Sequence, residues 1–489
     1  MRTGYDVMGR ASAVRASKTM GPAVTDEQPT VFILYGGTGD LAKRMVLPAF
    51  YDLYTRKLLP ERWKLVGNGR GDVAHEDFQA HIHDSLAEFA QEPDPTEWKG
   101  FAANVLFAGG GFRDEDPGSL LDVIKGAESD LGSSSTVIHY LAIPPNSFEP
   151  TTKAIKAHGL NKGSKVVYEK PYGTSSDSFE ELDALVHTAF DEEQVYRIDH
   201  FLGKEATQNL HMLRFANTLF GDSWSAEHIE QIQIDVPETL DIADRAAFYD
   251  ATGAALDMLV THLFQVAAEV AMEPPLSLSA EDLQSSRESV IAAFRPLDPA
   301  ETVLGQYAGY RETEGIPADS TTDTFVATTL WVDTDRWHGV PFLLRTGKKL
   351  AAGAQRVSLV FKAPAGPVHS AGALPGVLSF DLAGSGAIEI QMTVKKPGPD
   401  FVPAEACQTL RLDQVSDGAM APYTSLVHDV FAGDRSLFTS APGLRAAFAA
   451  FAPLQSDRRP DVLRYDDDSW GPAAADELTG GRGWIVSSR

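Results

Sequence analysis

The sequence predicts a doubly wound parallel α/β domain followed by an α+β domain with a large, mainly antiparallel sheet. Three observations carry that expectation. Between Thr30 and about Asp199, runs apolar on both faces alternate with amphipathic stretches, the pattern of a parallel sheet covered by helices. The first of these runs leads directly into a glycine-rich turn and then a helical repeat. Beyond Ala206, most strand-like runs are separated by turn residues instead of helices, which favours antiparallel pairing.

Taken in order, TVFILY (30–35) is a buried strand, GGTGDLAKR a turn, and MVLPAFYDLY a helix with apolar residues at helical spacing. WKLVGNGR (63–70), NVLFAGG (104–110), TVIHYLAI (136–143) and KVVYEKP (165–171) read as four further buried strands. A long helix is expected around ALDMLVTHLFQVAAEVAM (255–272), closed by Glu273, Pro274 and Pro275. HIEQIQIDV, FVATTLWV, VPFLLRTG, RVSLVFK, VLSFDLA and AIEIQMTVK supply the strands of the second half. Residues 1–29 are poorly patterned and are expected to be a disordered extension, with a transit peptide as the alternative.

Composition removes several function classes. The 489 residues suffice for two domains and a large core. A net charge of −26, from 42 basic and 68 acidic side chains, repels nucleic acids and anionic membranes unless a basic patch overrides it. No long Lys/Arg run and no DNA-binding signature is present, so neither partner is expected. No uninterrupted apolar run approaches the roughly 18–20 residues of a membrane span. The single cysteine, Cys407, allows no intrachain disulfide and fits a reducing, cytoplasmic setting.

In GGTGDLA, Gly36 and Gly39 leave bare backbone at a strand-to-helix junction, and Asp40 and Leu41 lead into the helix. Backbone amides and the positive helix end can then approach a pyrophosphate, as in a Rossmann-type dinucleotide site. A P-loop is disfavoured, because Lys and Ser/Thr do not follow at the required spacing. The second strand ends in Gly67, Asn68, Gly69 and Arg70, where an NAD site commonly places a carboxylate. A guanidinium there suits a ribose 2′-phosphate and favours NADP; the alternative reading of Arg70 is an exposed turn residue. In RIDHFLGKE (197–205), His200 and Lys204 share one face if the segment is helical, which makes best sense around an anion. The alternative there is a solvated helix start. No metal site is expected.

These segments together resemble the glucose-6-phosphate dehydrogenase family. GGTGDLAKR, YLAIPPNSF, VVYEKPYG, RIDHFLGKEATQNLHMLRFAN, the FYD…LDMLVTHLFQ helix, GVPFLLRTGKKL and VKKPGPDF follow that family's motifs in its order, from about residue 30 to the C-terminus. The resemblance implies oxidation of carbon 1 of glucose 6-phosphate to 6-phosphogluconolactone, the first step of the pentose phosphate pathway, with hydride passed to NADP. It implies His262 as general base, with Asp199 orienting its imidazole. His200 and Lys204 would hold the substrate phosphate. Lys170 would lie between cofactor and substrate, Glu238, Asp257 and Lys348 would meet the sugar, and Lys43 would reach toward cofactor phosphate. Residues 30–199 would be the dinucleotide-binding domain and 200–489 the substrate-binding domain, whose sheet would build a homodimer or homotetramer. On an ideal α-helix Asp257 and His262 point about 140° apart, so their joint role is inherited from the resemblance alone.

The chain departs from the family pattern near the substrate. Phe201 replaces the usual Tyr after the RIDH histidine, Leu256 the usual Arg, Val260 and Thr261 the usual Gln-Asn, and DRAAFYD the common GRGGYYD. Losing one phosphate ligand at Phe201 keeps a second reading open: a paralogue acting on a related sugar such as a 6-sulfonate, with NAD as the alternative cofactor. A nucleotide-binding regulator with a dead site would lack at least one of Asp199, His200, Lys170 and His262, and all four are present.

Overall fold

The computed structural model describes residues 29–486 other than 133, 243–244, 368–371, 385 and 413–418. The extension expected at the N-terminus lies, except for Pro29, outside the described residues. Six of the seven strands of the first sheet come from the first half of the chain: β1 (Thr30–Tyr35), β2 (Trp63–Asn68), β3 (Val105–Ala108), β4 (Thr136–Leu141), β5 (Lys165–Tyr168) and β6 (Val195–Ile198). They run parallel in the order β3-β2-β1-β4-β5-β6. The order reverses between β1 and β4, and the carboxyl ends of strands at such a point form a ligand crevice. All six residues of β1 and of β2 are buried, as expected of central strands covered on both faces.

The second sheet contains β7 (Ile229–Pro237), β8 (Thr302–Tyr307), β9 (Phe325–Leu330), β10 (Phe342–Gly347), β11 (Arg356–Phe361), β12 (Val377–Asp381), β13 (Ala387–Lys395) and β14 (Pro403–Arg411). Of the last two strands, β15 (Phe438–Thr439) pairs antiparallel with β6 in the first sheet, and β16 (Val462–Tyr465) joins the second. The nine-stranded order is β14-β13-β12-β11-β7-β10-β9-β8-β16. Pairing is antiparallel except for β7 with β10 and β8 with β16. In the parallel central pair Arg345 and Asp235 stand in register and form a buried two-pronged ion pair at 2.9 and 2.5 Å.

The end of β6 falls where the sequence suggests a boundary, yet the chain returns across it. Helix Pro422–Ala432 packs back on the first sheet: Phe431 stacks on Phe32 at 5.7 Å, and Lys165 Nζ donates to Val430 O at 2.6 Å. The first sheet is thus completed by residues more than 200 positions further on.

Residues Ala246–Ala271 form one helical run, long and apolar enough by length and composition to cross a bilayer. Asp250, Asp257 and Glu269 interrupt it in sequence, so no uninterrupted apolar run is visible there. Of its most apolar window 89% is buried inside the fold, which makes it the core helix against β9 and β10. It bends at Gly253 (φ 69°, ψ 169°) and is wound as a π-helix over Leu256–Leu263, with Phe264 N–H returning to Leu259 O.

Candidate active site

The glycine turn sits at the crevice between β1 and β4. Gly36 has φ +74°, and a Cβ there would lie 2.4 Å from Ala142 O beyond the end of β4. Only glycine permits that conformation and that approach. The amides of Gly36 and Gly37 donate to Asn68 O at 2.9 and 3.2 Å, tying the turn to the end of β2. The bare cradle and the following helix start fit a dinucleotide pyrophosphate. Asp40 pairs with Arg44 at 2.7 Å, and Leu41 continues into a π-helical turn over Ala42–Val46. Lys43 pairs with Glu88 at 2.6 Å near the surface. An ion pair of this kind at the surface is worth at most about 1 kcal/mol and exchanges readily for another anion. Arg70 is exposed just past β2 and has no hydrogen-bond or ion-pair partner among the described residues.

The carboxyl ends of β5 and β6 present Lys170 and Asp199 to the long helix. His262 Nδ1 lies 2.7 Å from Asp199 Oδ1, which also accepts from the Phe201 amide at 2.9 Å. On the other edge of the ring, Lys170 Nζ lies 2.8 Å from Nε2 and donates to Asp257 Oδ1 at 3.2 Å. An ammonium can only donate, so Nε2 is the accepting nitrogen and Nδ1 carries the proton directed at Asp199. Burial, with Lys170 alongside, holds the His262 pKa well below its ordinary 6.5. Burial lifts Asp199 to about 6, against the pull of His200, the Phe201 amide and Lys170. Burial also acts to raise Asp257, but Lys170 and His262 outweigh it and hold the carboxyl at about 2. Near neutral pH the cluster is a neutral imidazole between a carboxylate and a carboxylate-paired ammonium.

The π-helix explains how Asp257 and His262 converge. In an i→i+5 ladder, residues five apart stand nearly one above the other, whereas the α-helical spacing assumed from sequence separates them. The ligand atoms of Asp199, His200 and His262 also lie within 4.8 Å of one another, as a metal site would need. The Lys170 ammonium already supplies positive charge at that point.

His200 and Lys204 meet around Phe201. The His200 and His262 rings are 4.5 Å apart, Phe201 stacks on His262 at 4.6 Å, and Lys204 Nζ sits 3.5 Å above the Phe201 ring centre. Burial lowers the Lys204 pKa to about 8, with Asp199 and Asp381 opposing it. Its ammonium is held by the side-chain oxygen of Gln355, a residue the sequence motifs did not single out. At the other end, the parallel pair β7–β10 delivers Glu238 and Lys348 side by side, with Lys348 Nζ donating to Glu238 Oε2 at 2.5 Å. Buried Tyr249 links this end to the cluster: Lys348 Nζ is 5.9 Å from its ring, and its hydroxyl pKa is raised by burial and then by Asp257 and other carboxylates including Glu238. It too was not singled out from sequence.

The departures from the family pattern take distinct places. Leu256 packs in the core. Val260 and Thr261 line, with Lys170 and Asp199, a small pocket beside the cluster. Thr261 turns its hydroxyl back to Asp257 O at 2.7 Å. Next to Lys170, buried Glu169 accepts from Tyr140 at 2.6 Å and from Tyr423 at 3.4 Å, and burial lifts its pKa to about 7.

Known proteins match this architecture over nearly its full length. A family model described as "Glucose-6-phosphate dehydrogenase, NAD binding domain" matches residues 33–209, and one described as "Glucose-6-phosphate dehydrogenase, C-terminal domain" matches 211–485. The chain is 35% identical over 498 residues to "Glucose-6-phosphate 1-dehydrogenase 2" of Mycobacterium tuberculosis (93% of this chain, 94% of the relative). It is 32% identical over 490 residues to "Glucose-6-phosphate 1-dehydrogenase" of Leuconostoc mesenteroides (94% and 99%). Among solved structures, glucose-6-phosphate 1-dehydrogenase from Mycobacterium avium superposes with a TM-score of 0.81 at 30% identity, covering 94% of this chain and 98% of that one. A glucose-6-phosphate dehydrogenase in complex with its substrate glucose-6-phosphate superposes with a TM-score of 0.87 at 26% identity, covering 96% and 99%.

Proposed function

The chain belongs to the glucose-6-phosphate dehydrogenase family, and on that premise we propose that it oxidises carbon 1 of glucose 6-phosphate to the lactone, with NADP as hydride acceptor. The observation that carries the reading is the Asp199–His262–Lys170–Asp257 cluster, placed at the carboxyl ends of β5 and β6. When bound, the nicotinamide supplies the acceptor for the C1 hydride. His262 Nε2, neutral near pH 7, takes the proton of the C1 hydroxyl as the carbonyl forms. Asp199 keeps the ring in the productive tautomer and stabilises the imidazolium that results. Lys170, charge-paired to Asp257, is placed to leave His262 Nε2 for the C1 oxygen, where it steadies developing negative charge.

His200, Lys204 and Gln355 are assigned to the C6 phosphate, and Glu238, Asp257 and Lys348 to the sugar hydroxyls. Arg70, unpartnered and exposed, is assigned to the 2′-phosphate of NADP, with Gly36, Gly39, Asp40, Leu41 and Lys43 at the pyrophosphate side. A single cysteine fits a cytoplasmic setting. A homo-oligomer is proposed through β13 and β14, where Met392, Val394 and Leu410 lie on one sheet face and are exposed by 44%, 40% and 49%. Exposed apolar side chains on one sheet face support that reading.

Phe201 in place of the usual Tyr favours, as a second reading, a related C6-anionic sugar such as a 6-sulfonate. The test is a panel of C6-anionic sugars with NADP and NAD in parallel, followed by absorbance of the reduced cofactor. The highest kcat/KM with glucose 6-phosphate and NADP supports the proposal; a higher value with the 6-sulfonate sugar replaces the substrate assignment.

A further inference from the structure

A cleft of about 830 Å³, solvent included, opens at the β16 edge of the second sheet. None of its lining residues belongs to the site described above. Arg311, Arg459 and Arg464 line it together with Gln306 and Thr321, and Asp461 is its one acidic lining residue. Such a cluster is unexpected on a chain whose 68 acidic side chains outnumber 42 basic ones. Each guanidinium is anchored through one nitrogen. Arg311 Nε donates to Gln306 Oε1 at 3.0 Å, Arg464 Nη2 to Ala308 O at 2.7 Å, and Arg459 Nη2 to Asp323 Oδ1. The other guanidinium N–H groups of the three have no partner among the described residues. Three arginines fixed in position with donors to spare match the oxygens of phosphate, which such forks bind in pairs.

The wall of this cleft is also the clamp on the catalytic helix. Thr321 lines the cleft, and its neighbours Ser320 and Thr322 donate to the Asp250 carboxylate and carbonyl at 2.5 and 2.7 Å. Asp323 accepts from the Ala254 amide through its carbonyl at 2.8 Å and from the Ala255 amide through Oδ2 at 2.6 Å. The helix bends there at Gly253, where a Cβ would stand 2.8 Å from Asp323 Oδ1. The π-helical segment bearing Asp257 and His262 begins one residue after Ala255. Arg459 is thus shared between the cleft and the buried carboxylate that caps this segment.

We propose that the three-arginine cleft binds an anion carrying adjacent phosphates, of the inorganic or nucleoside polyphosphate class, through its spare guanidinium donors, and that its occupancy lowers turnover by loosening the bond from Arg459 to Asp323. Removing the partner of a buried carboxylate is costly, and the cap on Ala255 loosens as a result. The effect then falls mainly on kcat, because the affected segment carries the base and, of the proposed substrate contacts, Asp257 alone.

The test is calorimetric titration of inorganic tripolyphosphate into the full chain at constant ionic strength, with glucose 6-phosphate saturating and sulfate as the charge control. One saturable site is expected. The R311Q/R464Q double variant weakens it by about tenfold or more, in line with lost charge-assisted bonds. Without tripolyphosphate, its kcat and KM stay those of the parent, which also reports that it is folded. In steady-state assays, a fall in kcat of about twofold to fivefold with tripolyphosphate is expected in the parent and not in the double variant. Equal binding by parent and double variant overturns the proposal, as does inhibition that rising substrate concentration removes. The calorimetric arm is independent of the reaction proposed above; the kinetic arm rests on it.

Discussion

Asp257 and His262 are five residues apart in the chain, and both touch the Lys170 ammonium, at 3.2 and 2.8 Å. The π-helical winding of Leu256–Leu263 produces that convergence, and π segments of this kind recur at functional sites. Asp257→Asn removes the counter-charge that fixes Lys170. A charge-assisted hydrogen bond is worth about 1.5–3 kcal/mol, so kcat/KM should fall by about tenfold to a hundredfold. Steady-state kinetics check this, and a change of less than about threefold would mean that Lys170 is held without Asp257.

Arg70→Ala should raise KM for NADP by about tenfold to a hundredfold, the value of a lost phosphate contact, while leaving KM for NAD nearly unchanged. Equal weakening of both cofactors would show that Arg70 does not read the 2′-phosphate, and weakening of neither would return it to an exposed turn residue.

Phe201→Tyr adds a hydroxyl where Lys204 caps the ring and His262 stacks beneath it. In a pocket built for phosphate the new donor meets a dianion and lowers KM for glucose 6-phosphate by about severalfold. If the pocket is rebuilt for another anion, the hydroxyl is left buried without a partner and activity on the true substrate declines.

The first sheet predicts an acid-sensitive stability. His139 on β4 is fully buried, within hydrogen-bond distance of the Tyr35 hydroxyl at 3.0 Å and Leu160 O at 3.1 Å, and burial lowers its pKa to about 4 against a partial opposing effect from Leu160. The unfolded chain takes up this proton below about pH 6.5 and the folded chain only near 4, so the stabilisation is present above 6.5 and is lost as pH falls through that window. The full loss is about 3 kcal/mol. Unfolding followed at pH 7 and at pH 4.5 should show a smaller drop in His139→Gln than in the parent; an equal drop would assign the acid sensitivity to other groups.

The strands of both sheets that carry their own apolar signal, such as TVFILY and VPFLLRTG, were legible from sequence, as was the glycine turn. The strands not read from the sequence are β6, β8, β14, β15 and β16. β15 spans two residues, too short for a pattern; β6 and β16 span four, each broken by an arginine, Arg197 and Arg464; β8 carries Gly305 and Gln306 within its six residues. β14 alternates little and is largely exposed, so it has no buried face to read. Local motifs named Asp199, His262 and Lys170, but the π-helix stayed hidden because its apolar spacing over eight residues is not distinct from an α-helix. Gln355 and Tyr249 reach the site only through tertiary contacts, and no residue type or spacing marks them.

The measurement that bears most directly on this account is kcat of His262→Ala with saturating glucose 6-phosphate and NADP. The ring makes the bonds that place it between Asp199 and Lys170, while the proposed phosphate and cofactor ligands remain. The account predicts a fall in kcat of about two to four powers of ten with KM little changed. A kcat within about threefold of the parent would contradict it, because the proton would then leave the substrate by another route.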